Sequence, residues 1–138
     1  MSIKPDTGQL LIYGSLCKED ERIVGARLVQ LENWDSREGE TLWEISSAEG
    51  TRELVFIVGE VPESFQVVQP LASLPPGDAY VRAQVEIATT KDQFWVDEVY
   101  RLSRLRPSLV RAHSELIPPD EWDTWVSDMC DPGGLFGR

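Results

Sequence analysis

Residues 79–88 alternate strictly: Ala79, Val81, Ala83, Val85 and Ile87 are apolar, and Tyr80, Arg82, Gln84 and Glu86 lie between them. Successive side chains on a strand point to opposite faces, so this run is a β-strand with one face on a core. The turn Pro75-Pro76-Gly77 launches it. Most of the chain repeats this pattern. Strands are predicted at residues 9–16, 22–31, 41–46, 54–61, 65–71, 79–88 and 94–102. Residues 54–61 are apolar on both sides (Leu54, Phe56 and Val58; Val55, Ile57 and Val61). That composition predicts a central strand buried on both faces. Seven runs joined by short turns, with no helix between them, imply antiparallel pairing. The predicted fold is mainly β: an antiparallel β-sandwich of about seven strands with a short C-terminal helix, a small barrel being the alternative.

Past Arg106 the pattern changes. Leu109, Val110, His113, Leu116 and Ile117 fall at helix-like spacing. Pro118-Pro119 then breaks the chain. Asp120 can cap a second helix, on which Trp122, Trp125, Val126 and Met129 form one apolar stripe. A helix so short must dock on something, either its own sandwich or a partner. The chain therefore divides into a sandwich over 1–106 and an extension over 107–138 packed on the same domain. The tail pair Leu135-Phe136 is a candidate attachment point.

The net charge is −11 over 138 residues. Such a charge disfavours nucleic acid and anionic membrane and steers association toward basic partners. Against this, residues 99–113 carry Arg101, Arg104, Arg106 and Arg111 and no acid. Those arginines either bind a phosphate or carboxylate or pair with neighbouring acids. Cys17 and Cys130 are far apart and in no CxxC pattern, which points to neither a zinc site nor a disulfide framework. The N-terminal residues lack the apolar stretch of a secretory signal, and no run nears the ~20 apolar residues of a membrane helix. A reduced, cytoplasmic protein is expected.

No catalytic motif is present. His113 is the sole histidine and sits in no recognisable pattern; it reads as structural rather than catalytic. No glycine-rich phosphate loop occurs. The acidic groups Glu19-Asp20-Glu21 and Glu32/Asp35/Glu38 lack calcium-loop spacing, so neither a metal nor a cofactor is expected. Glu98 shares a strand face with Phe94, Val96, Tyr100 and Leu102, and a lone carboxylate there is costly. Three outcomes are open: a bulge near Asp97 turns it outward, it pairs with an arginine such as Arg82, or it is a functional acid with a raised pKa. Five tryptophans, Trp34 and Trp95 among them, serve either the core or an exposed binding row.

Two stretches resemble known families. Leu11-Ile12-Tyr13-Gly14-Ser15-Leu16 resembles the substrate-binding loop that opens gamma-glutamylcyclotransferase-like enzymes, and the resemblance would make Glu98, or equally Glu86, the acid/base residue. Leu74-Pro75-Pro76-Gly77-Asp78-Ala79-Tyr80-Val81-Arg82-Ala83 is similar to a stretch of small bacterial β-sandwich proteins akin to competence protein J, a nuclease inhibitor. Here Ala79 stands where those patterns place the tyrosine. The reading that follows is a non-catalytic, acidic protein-binding module, of inhibitor or immunity type, for a basic partner such as a nuclease. Trp122, Trp125, Met129, Arg101 and Arg104 are its candidate contacts. A homo-oligomeric assembly component and a small enzyme are the alternatives.

Overall fold

The computed structural model describes residues 1–4, 7–112 and 115–130. His113 and the pair Leu135-Phe136 lie outside the described residues. The order of elements is β1 (Ser2–Ile3), β2 (Leu10–Tyr13), β3 (Arg22–Leu31), β4 (Glu40–Thr51), β5 (Val55–Ile57), β6 (Gln66–Gln69), β7 (Tyr80–Ala88), β8 (Gln93–Arg101), β9 (Val110–Ala112), β10 (Glu115–Ile117) and helix α1 (Trp122–Cys130). The ten strands exceed the seven expected because three short ones carry too few residues to show a period.

Every pairing between these strands is antiparallel. One sheet has the order β1-β2-β5, a second β6-β4-β3-β7-β8, and β9 and β10 form a separate hairpin. Leu10, Ile12 and Phe56 of the small sheet share one core with Ile23, Leu28, Trp43, Ile45, Val81 and Ile87 of the large one. This is the sandwich that period two demands: each sheet buries one face against the other. A second cluster joins the hairpin to the helix through Val110, Ile117, Trp122 and Val126.

Three expectations need correction. Residues 107–117 contain the β9–β10 hairpin, not a helix. Ser108 has φ 61°, a left-handed conformation that a helix does not tolerate, and Pro107 precedes it. The run 54–61 yields only the three-residue β5, at the edge of its sheet rather than the centre. Val55 and Val61 stay exposed while Phe56 and Val58 enter the core. The strand predicted over 41–46 does not end there. It runs on to Thr51 through a bulge at residues 47–50, with Gly50 at φ +74° and its N–H donating to the Ser47 hydroxyl at 2.9 Å, before Thr51 rejoins Ile23.

Cys17 and Cys130 are joined in a disulfide, with Cα atoms 5.3 Å apart. This overturns the expected reduced state. A separation of 113 residues hides the pairing in one dimension. The fold brings the end of α1 to the loop after β2, within the range that a bridge can span.

Gly39 fixes where β4 begins. A β-carbon there would overlap the Gln30 carbonyl oxygen and crowd Val29 and Leu31 at 2.8 and 2.9 Å. The carbonyl belongs to β3 and cannot swing away. Gly39→Ala is expected to lower stability by about 2 kcal/mol, as overpacking against backbone does. Urea titration checks this, and an unchanged midpoint would show that the segment yields freely.

Candidate functional site

Two places stand out, on opposite sides of the large sheet. The first is a cavity of about 80 Å³ at the junction of the two sheets, the hairpin and α1, lined in part by Tyr13, Ser15, Glu98, Tyr100, Trp122 and Trp125. Strand β2 and the turn after it bring Tyr13 to Ser15. Strand β8 brings Glu98 and Tyr100, two residues apart and therefore on one face. The helix closes the third side. Trp122 is buried and donates its indole N–H to the Gly14 carbonyl at 3.0 Å. Its ring stacks on Trp125 at 5.0 Å and meets Tyr13 edge-on at 5.4 Å. Trp125 donates to the Glu115 carboxylate at 2.9 Å.

Glu98 takes neither the outward turn nor the pairing with Arg82. The β7–β8 register runs without a shift, so no bulge turns it outward. Arg82 reaches Asp97 instead, at 3.9 Å, and donates to the carbonyls of Ser36 and Arg37. Glu98 stays inward and half-buried, accepting the Tyr100 hydroxyl at 2.6 Å. Burial, and then the Glu98 charge, push the Tyr100 hydroxyl far above its ordinary pKa. The Met1 amine also lines the cavity and donates to the Arg111 carbonyl at 2.9 Å. Burial lowers its pKa to about 5, against the opposing pull of Glu98. It is therefore mostly uncharged at neutral pH.

The second place is the loop over residues 32–39. Val29 and Leu31 point to the outer side of the large sheet yet are buried, because this loop folds back across them. It is anchored from below by the Arg82 guanidinium. It is braced within itself by Asn33 and Ser36, whose backbone and side chains exchange three hydrogen bonds of 3.1–3.2 Å. At its crest Trp34 is 68% exposed, amid exposed Glu32, Asp35 and Glu38. Nearby on the same outer face, Arg27 lies 4.0 Å over the Trp95 ring and donates to Gln84.

The residues singled out in the sequence are scattered. Trp122 and Met129 are buried against the protein's own sandwich, so neither meets a partner unless α1 lifts away. Arg101 lies over Tyr80 on the outer face, and Arg104 is exposed, its carbonyl accepting from Arg111. Glu19-Asp20-Glu21 is a pinned turn. The buried Glu21 carboxylate accepts the N–H groups of Cys17 and Lys18, and Asp20 accepts from Thr90, which lowers its pKa. No cluster of metal-ligating side chains occurs among the described residues. Trp34 carried no motif, and its isolation in a polar loop was its one signal.

Comparison with family models, with curated proteins and with solved structures returned no match.

Proposed function

We propose that this protein is an acidic binding module for a partner with a basic surface, of the inhibitor or immunity type, a nuclease being one such partner. The observation that carries the reading is Trp34. Exposed tryptophans are uncommon, and tryptophan is enriched among the residues that dominate binding energy. This one is held by an anchored loop, so little freedom remains to be lost on binding. Its acidic neighbours and the net charge of −11 select a cationic counterpart. An arginine or lysine over the exposed ring gains a cation–π contact as well.

A second reading is favoured by one observation. Tyr13, Gly14 and Ser15 line the same cavity as Glu98, the juxtaposition that the gamma-glutamylcyclotransferase-like resemblance requires. At about 80 Å³ the cavity is smaller than the ~300–1,000 Å³ of typical substrate pockets, so the binding module is preferred. The cytoplasmic expectation loses its premise of reduced cysteines, and the disulfide favours an oxidising compartment. No helix among the described residues is long and apolar enough to cross a membrane.

The test is retention from an extract of the native host on immobilised protein at low salt. A basic protein is expected to be held by the wild type, released as salt rises, and held at least tenfold more weakly by Trp34→Ala. Equal retention by Trp34→Ala would remove the reading.

A further inference from the structure

We infer that the free edge of the large sheet, at β6, is a contact between two copies of this chain. The contact uses no residue of the Trp34 loop, so it stands or falls apart from the basic-partner reading.

The edge itself is the first argument. Strand β6 pairs with β4 on one side and, among the described residues, with no strand on the other. All four of its residues are exposed. The ladder passes from Gln69–Glu44 to Val67–Ile45, so Val68 is the additional residue of a bulge. Val67 and Val68 stand side by side at the rim, 48% and 55% exposed. An unpaired edge that displays apolar side chains is a template for another chain.

Charge is the second argument, and it selects the occupant. Residues 64–77 form the longest run of this chain without Asp, Glu, Lys or Arg. Free edges are commonly guarded by charged side chains. Strand β8, the opposite edge of the same sheet, carries Asp97, Glu98 and Arg101. Strand β6 carries no such guard. A basic partner is not steered here, because the strand holds no carboxylate to attract it. For a second copy, neutrality is the requirement. Two chains of net charge −11 repel one another, and a strand without carboxylates lets them touch with no like charges of that strand opposed.

Self-complementarity is the third. The strand Gln66-Val67-Val68-Gln69 reads the same in both directions. Two such strands meeting antiparallel set the valine pair against the valine pair and a glutamine against a glutamine at each end. Matched β-branched neighbours of this kind stabilise a sheet. The strand is short: at ~3.3 Å per residue it spans roughly 13 Å, and its bulge bends it. The buried area therefore falls short of the ~1,200 Å² of a stable complex. The association is weak, with a Kd on the order of 0.1–1 mM.

Sedimentation velocity of the full chain, over about 0.01–1 mM protein at about 0.02 and 0.3 M NaCl, tests the contact. A dimer is expected to grow with concentration. Its Kd should be at least about threefold tighter at the higher salt, because salt screens the mutual repulsion. Capture of a basic partner responds to salt in the opposite sense, so the two readings fail separately. The backbone amide resonances of Gln66 to Gln69 should move as the dimer forms, and the Trp34 indole resonance should not. Val68→Lys sets a lysine near its own copy and should weaken the dimer at least about tenfold. Val55→Lys makes the same change of charge at an exposed residue of β5 and should leave the dimer unchanged. If Val68→Lys does not fold, the amide resonances decide. A monomer at about 1 mM in both salts would overturn the proposal. So would resonance shifts centred on α1 or the Trp34 loop, undiminished dimer in Val68→Lys, or equal losses in the two lysine variants.

Discussion

Replacing Trp122 by alanine is expected to destabilise the protein by about 3–5 kcal/mol, the range for deleting a large aromatic from a packed site. The side chain is 5% exposed and links three parts of the molecule. It sits on α1, bonds to the Gly14 carbonyl, and packs against Tyr13 and Trp125. Nine residues of helix have no stability of their own in water, so losing this anchor frees α1 as well. The substitution Trp122→Phe separates the contributions. It retains most of the burial and leaves the Gly14 carbonyl without its donor, for an expected loss of about 1–2 kcal/mol. Urea denaturation reads both. A loss below about 1 kcal/mol for Trp122→Ala would mean that the helix is not docked through this residue.

The second large effect belongs to the disulfide. The double replacement Cys17→Ala with Cys130→Ala should cost about 2–5 kcal/mol, because the bridge removes much of the freedom of the unfolded chain. The closed loop spans 113 residues, which places it at the upper end of that entropic effect. For a domain of this size the melting temperature should fall by roughly 10 °C. Reductant should lower the wild type to the same value and leave the variant unmoved. Two free thiols found by titration of the denatured, unreduced protein would contradict the bond itself.

Legibility in the sequence tracked the length of each alternating run. Residues 22–31 coincide with β3 to the residue, and 79–88 with β7 to within one. In 79–88 period two stands clear; 22–31 is apolar on both sides, and its ladder shifts between Ile23 and Gly25. Residues 54–61 misled because apolar side chains on both faces fit a central strand and a short edge strand equally. There the decision was made by tertiary contacts, with Phe56 on Phe65 at 5.8 Å. Residues 107–117 misled because three-residue strands have no measurable period, and the left-handed Ser108 is invisible in a list of side chains. The candidate site was legible in fragments. Glu98 stood out as an acid on a core face, and Tyr13-Gly14-Ser15 as a resemblance. That they share a cavity depends on how two sheets and a helix meet, which no local pattern encodes. The pairing of Cys17 with Cys130 is of the same kind.

Three ties described above, Met1 to Arg111, Gly14 to Trp122 and Cys17 to Cys130, bridge 110, 108 and 113 positions. A ribosome adding ~5–20 residues per second delivers the first member of each pair roughly 5–20 s ahead of the second. For that interval the nascent chain shows the surroundings of Tyr13 uncovered. Acquisition of the finished tertiary structure therefore waits for α1, and until then the growing polypeptide is a client for whatever chaperone meets it at the exit tunnel.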